Sequence, residues 1–169
     1  NAFLAGDVDG MVNVPAKAIP QVQSTEGKDL WSLESGRYIN LVPRHDLPES
    51  NNPHLWAAMQ HLQDRQRLVK GVLKGQGGLG NDQPIGPAYF DHSPDIPQRE
   101  LDLDKAKYHF QKSGIGSSPI EVIAAEVGPG AVDQCLFMQR EGKKIGMNFV
   151  DIERPSASAL KSNFFRSNQ

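Results

Sequence analysis

The chain has 169 residues, 38% of them hydrophobic and 22% charged, with a formal net charge of −2. That length suits one domain with a core of its own. The near-neutral balance argues against a nucleic-acid binder, which shows a basic stripe, and no run approaches the roughly 20 apolar residues of a membrane span.

The chain opens on "NAFLAGDVDG", a helix end leading into a strand, with no starting Met and no signal peptide. The expectation is a piece whose leader lies elsewhere. Asp7 to Val14 alternates polar and apolar residues and predicts a strand over 8–13. Pro15 opens a short helix, which Pro20 is expected to cut or bend. "KDLWSLESG" reads as a weak strand and turn. Tyr38, Ile39, Leu41 and Val42 predict a second strand over 37–42, followed by a Pro- and Asn-rich loop.

The longest helical region spans 53–74. Asn52 can cap it and Pro53 sits at its first position. Leu55, Met59 and Leu62 line one face. Asp64 can start a second helix carrying Leu68, Val72 and Leu73. "GQGGLGNDQPIGP" is turn-rich, and Asn81 or Asp82 should bond its side chain to nearby backbone amides there. "AYFDHSPDIPQRE" is proline-punctuated coil.

"LDLDKAKYHFQKSGI" spells a complete helix over 104–113. Asp102 and Asp104 can each cap its start. Ala106 and Phe110, with Leu103, form its inner face, and His109 falls beside that face. Gly114 suits a left-handed stop, with Ile115 folding back on Phe110. "SPIEVIAAEV" predicts a strand over 119–125. A helix over 130–145 buries Ala131, Cys135, Met138 and Ile145, helped by Val132 and Leu136. Gly146 ends it, and "MNFVDIE" predicts a last strand over 147–153. This order predicts an α/β fold, with the four strands in one mixed sheet flanked by the helices.

No catalytic constellation assembles. "GQGGLG" follows no strand and lacks the Gly-Lys-Ser/Thr ending of a phosphate loop. "GDVDG" has Met11 where a calcium loop needs a ligand, and no closing Glu. The Asp102-x-Asp104 pair reads as a helix cap rather than a metal site. His45, His54, His61, His92 and His109 lack zinc-ligand spacing; His54 and His61 share a helix face, read as solvated. Cys135 lies on an apolar stripe and reads as a buried, inert thiol that can form no internal disulfide. No catalytic residue, metal or cofactor is expected.

Five stretches occur in a telling order: "LAGDVDGMVNVP", "RYINLV", "LWAAMQHLQDRQRLVKGVLKGQGGLGNDQPIGP", "LDLDKAKYHFQKSGI" and "QCLFMQREGKKIGMNFVDIERP". The set resembles the extracellular solute-binding proteins of the dipeptide/oligopeptide/nickel family of ABC transporters. The matching residues include Asp64, Arg65, Gln66, Leu68, Val69, Val72, Leu73 and Gly75. Asn81, Asp82, Pro84, Ile85, Asp104 to Lys107, Gly114, Ile145 and Gly146 match as well.

The resemblance implies a single lobe of a periplasmic-binding-protein-like fold. Residues 1–155 would form the second lobe of a two-lobed protein, and 156–169 a tail or a truncated return toward the first lobe. It implies capture of a peptide or other small solute outside the cytoplasmic membrane. Delivery would be to ABC transporter permease subunits, with the protein peripheral to the membrane. In the family, lobe two meets ligand through loops at strand ends. Here that loop is Ala125 to Gly130, so Glu126, Val127, Gly128 and Gly130 are the candidate ligand-binding residues. Gly128 and Gly130 allow close backbone approach, and Glu126 suits a cationic or amine-bearing ligand. Peptide-binding members carry an arginine in this loop that holds the peptide carboxylate. This chain has none there, and after "ERP" it has Ser156 to Ala159 where close relatives differ. An isolated α/β interaction domain and an enzyme with a dispersed site are the alternatives.

Overall fold

A computed structural model describes residues 2–33, 35–44 and 48–150. The helices, in chain order, are α1 (Ala2–Ala5), α2 (Ile19–Ser24), α3 (Pro53–His61), α4 (Arg65–Arg67), α5 (Leu103–Ser113) and α6 (Ala131–Lys144). Short 3-10 turns at Ala16–Ala18 and Pro48–Asn51 and a π turn at Leu68–Val72 complete the set. The helix expected after Pro15 is divided just ahead of Pro20: a tighter turn, Ala16–Ala18, comes first, and Pro20 sits in the first turn of α2, where a missing N–H costs nothing.

The helices form where capping and periodicity favour them. The Asn52 side chain accepts from the His54 and Leu55 amides at the start of α3. Asp64 accepts from the Arg67 amide and Asp102 from the Lys105 amide. At the end of α5, Gly114 adopts φ 69°. The Ser113 hydroxyl donates to the Phe110 carbonyl and accepts from the Ile115 amide, bridging the two ends of the stop. Ile115 packs against the core cluster that contains Phe110.

α3 and α5 are antiparallel partners. The Asp102 amide donates to the His61 carbonyl at 2.9 Å, joining the end of α3 to the start of α5. At the other end, Asn52 Nδ2 donates to the Ser113 carbonyl at 2.8 Å. Between these ties Leu55, Ala58, Met59 and Leu62 pack with Ala106 and Phe110 in one cluster. The same cluster takes Val132, Cys135 and Met138 from α6. The second half of the 53–74 region is a short α-helix that widens into a π turn. The Leu73 amide reaches back to the Leu68 carbonyl at 3.1 Å, five residues away.

The expected four-stranded mixed sheet is not formed among the described residues. Residues 8–13 are bends and coil, and 37–42 run without a ladder. Alternation assigns side chains to faces, but a ladder also needs a partner backbone in register. Asn13 turns the chain at φ 58°, and Val12 is 85% exposed. Leu41 packs on the core, while Tyr38 and Val42 stay exposed.

The later segments follow their pattern closely. Ile120, Val122 and Ala124 are buried, and Met147 and Phe149 are buried on the return. Ile120 and Phe149 form a parallel bridge: the Ile120 amide donates to the Asn148 carbonyl, and the Val150 amide to the Ile120 carbonyl. The chain therefore crosses over through α6 and comes back in the same direction, a β-α-β connection. Residues 151–153 of the last expected strand, the 156–169 tail and His45 lie outside the described residues.

Candidate ligand-binding site

The loop after Ala124 is shaped by the packing on either side of it. Ala125 is buried, and its carbonyl accepts from the Val127 amide at 2.7 Å, a tight turn that throws Glu126 and Val127 outward. Both are exposed, and Glu126 makes no ion pair with another described residue. The Gly128 carbonyl accepts from the Ala131 amide, and the Gly130 carbonyl from the Gln134 amide as α6 begins.

Gly130 is turned inward. Its φ of 82° favours glycine, and a Cβ there would lie 3.4–3.6 Å from side-chain atoms of Leu73, Leu68 and Val72. The π turn thus presents its apolar residues to the start of α6. Gly128 is half-buried, next to Ile39 from the 37–42 segment. Of the four candidate residues, Glu126 and Val127 stand at the surface, whereas Gly130 supports the loop from beneath.

The motif residues of the helix pair and the glycine-rich turn meet elsewhere. Arg65 pairs with Asp82 at 2.6 Å and Arg99 pairs with the same carboxylate at 2.8 Å. Arg65 also donates to the Arg99 carbonyl. Asn81 accepts from the Arg99 backbone amide at 2.7 Å and donates to the Ile96 and Pro97 carbonyls. So Asn81 bonds backbone, as expected, but across the fold rather than within its own turn, and Asp82 takes two guanidinium groups instead. A cavity of about 210 Å³ lies alongside, lined by Gln63, Asp64, Arg65, Leu79 and Gln98 among others. None of residues 125–130 lines it.

Cys135 is buried, and burial pushes its thiol up, so it is a packing residue and not a nucleophile. Three histidines that showed no ligand spacing come together: His54 and His61 from α3 and His109 from α5. Sequence reading missed this cluster, because the contact depends on which helices pair. Its only local trace was the shared face of His54 and His61. Among the described residues no group of three or more His, Cys, Asp or Glu could hold a metal ion.

The family model for bacterial extracellular solute-binding proteins, family 5 (middle), matches residues 1–165. The chain belongs to the family 5 bacterial extracellular solute-binding proteins. This is the family that the ordered motifs resemble. Solved structures agree on the fold. This family 5 chain is similar to AgaA of A. tumefaciens in complex with agropinic acid, at TM-score 0.81 and 20% identity, covering 99% of this chain and 34% of that one. It is similar to a dipeptide-binding protein of a Pseudoalteromonas species in complex with Met-Leu, at TM-score 0.79 and 18% identity, covering 98% and 33%. It is also similar to the periplasmic binding protein DppA of Helicobacter pylori in complex with the peptide STSA, at TM-score 0.74 and 19% identity, covering 94% and 30%. The family 5 chain therefore spans about a third of the length of these structures. No curated protein matches it. No helix among its described residues is long and apolar enough to cross a membrane.

Proposed function

We propose that residues 1–155 form the second, ligand-holding lobe of a two-lobed solute-binding protein outside the cytoplasmic membrane. The lobe captures a peptide or other small solute and delivers it to the permease subunits of an ABC transporter. It carries out no covalent chemistry. In the intact protein the parallel Ile120–Phe149 bridge belongs to a mixed sheet that the described residues alone do not complete, and residues 156–169 are a tail or the return toward the first lobe. The observation that carries this reading is the family match over residues 1–165. The ligands bound in the related structures, a dipeptide, a peptide and agropinic acid, support a small organic solute.

In this reading Glu126, Val127 and Gly128 meet the ligand, and Gly130, expected from the sequence to do so as well, instead holds the loop from beneath. The loop stands at the end of a buried extended segment and at the start of a helix, where ligands of α/β proteins commonly bind. Exposed Glu126 meets a cationic or amine-bearing group. The test begins with mass spectrometry of small molecules released from the intact protein. A peptide or other small solute is the expected finding, and turnover of that solute would overturn the reading. Glu126→Gln should then weaken binding of an amine-bearing solute and reduce its salt dependence. Unchanged affinity at two ionic strengths would remove Glu126 from the site.

A further inference from the structure

Four aliphatic side chains stand apart from the main core. Leu68, Val72 and Leu73 at the π turn and Ile39 of the 37–42 segment are half-buried, and none belongs to the cluster that α3, α5 and α6 share. They pack on the candidate ligand loop instead. A Cβ on Gly128 would stand 3.5 Å from Ile39. A Cβ on Gly130 would meet Leu73, Leu68 and Val72 at 3.4, 3.5 and 3.6 Å. The π turn is what gathers these three. An α turn would put Val72 over Leu68 and carry Leu73 about 100° further round the axis. Here the Leu73 amide bonds to the Leu68 carbonyl, five residues back, so Leu73 also comes round to the face of Leu68 and all three reach one glycine. The far end of the turn is closed by the Gly75 amide on the Val69 carbonyl at 2.9 Å. Its near end is held to α6 by Arg67, whose guanidinium lies 5.3 Å from the centre of the Phe137 ring.

We propose that Leu68, Val72 and Leu73 are positioning residues: their combined bulk sets the level of Gly130, and through it the place at which Glu126 and Val127 are offered to a solute. This role rests on the ligand contact proposed above for the loop. Gly130 has no slack of its own, because its φ of 82° strains any other residue and its inner side is already filled by the three side chains. Truncating one of them removes support from the loop alone. The loop should then open locally, while the core, which these side chains do not enter, keeps its packing.

The test uses the intact protein with Leu73→Ala, Val72→Ala and Leu73→Met. Each is read by hydrogen exchange and by mass spectrometry of the small-molecule pool that co-purifies with it. The amides of Val127, Ala131 and Gln134 bond within 125–134. That segment should exchange roughly tenfold faster in the alanine variants, the order expected for truncating a half-buried aliphatic side chain. Exchange of α5 should not change, and Leu73→Met, which keeps the volume, should behave like wild type. The alanine variants should retain several-fold less of the co-purifying pool through dialysis, with Leu73→Met again like wild type. Four results would overturn the positioning role: no loosening at 125–134, loosening that spreads equally to α5, failure of both alanine variants to fold, or full retention despite a loosened loop. A wild-type protein that carries no solute while its loop responds as described would instead overturn the ligand contact proposed for the loop, and the positioning role with it.

Discussion

The guanidinium of Arg65 and the carboxylate of Asp82 meet at 2.6 Å, and both side chains are mostly buried, at 13% and 20% exposure. Both belong to the motifs that mark the family, "DRQ" before the π turn and "ND" after it. Their pairing, with Arg99 on the other carboxylate oxygen, ties the two stretches together in this fold. They hold the turn after the helix pair, with Asp82 itself in the left-handed region at φ 54°.

Asp82→Ala should therefore act on stability. It leaves two arginines without their shared acceptor, a loss of about 1.5–3 kcal/mol for hydrogen bonds to a charged group. The melting temperature should drop while solute affinity of the intact protein stays nearly unchanged. Lost affinity at an unchanged melting temperature would make Asp82 a ligand contact instead.

Asn52 serves two helices at once, accepting amides of α3 and donating to the last carbonyl of α5. Asn52→Ala should cost about 1–2 kcal/mol for the cap, plus about 1 kcal/mol for the lost bond to Ser113. Asn52→Asp keeps the cap but cannot donate, so it should fall between wild type and Ala. Urea unfolding of the three proteins gives the order, and an Asp variant as weak as Ala would contradict the double role.

Gly142 lets α6 press against the returning segment. A Cβ there would meet Phe149 at 2.4 Å and Leu62 at 3.3 Å. Gly142→Ala should destabilise by about 1–3 kcal/mol through overpacking, even though Ala favours a helix by about 1 kcal/mol over Gly. Adding Phe149→Leu should recover part of the loss in thermal unfolding. A stabilised single variant would show that the segment yields freely.

Glu141 is 3% exposed and sits between Arg140 at 3.0 Å and Lys144. Burial alone would raise its carboxyl, but the hydrogen bonds from Lys144 and Arg140 outweigh it and hold the group below the ordinary carboxylate range. The folded value lies below the unfolded one. The stability from Glu141 is thus present above the unfolded value of about 4.3 and is lost as pH falls through the folded value. Melting curves from neutral pH downward should show Glu141→Gln weaker than wild type at pH 7, with the gap closing in acid. A gap independent of pH would assign the effect to packing.

Local order was legible in the sequence because it is decided within a few residues. Asn52, Asp64 and Asp102 cap the helices they precede, Gly114 ends α5, and the buried faces of α3, α5 and α6 follow their apolar spacing. The alternation at Ile120, Val122 and Ala124 likewise named the side chains that enter the core. The order of the motifs identified the family.

Only the tertiary structure decided what depends on two distant segments meeting. It left 8–13 and 37–42 without a ladder, because a strand's pattern does not supply its partner. It turned Gly130 inward under the side chains of the π turn while leaving Glu126 and Val127 outside. It joined Asp82 to Arg65 and Arg99, and brought His109 to His54 and His61. A residue's own preferences act over one turn of chain. A hydrogen bond across 55 residues, like that between His54 and His109, exists only once the packing of α3 on α5 has fixed where both ends lie.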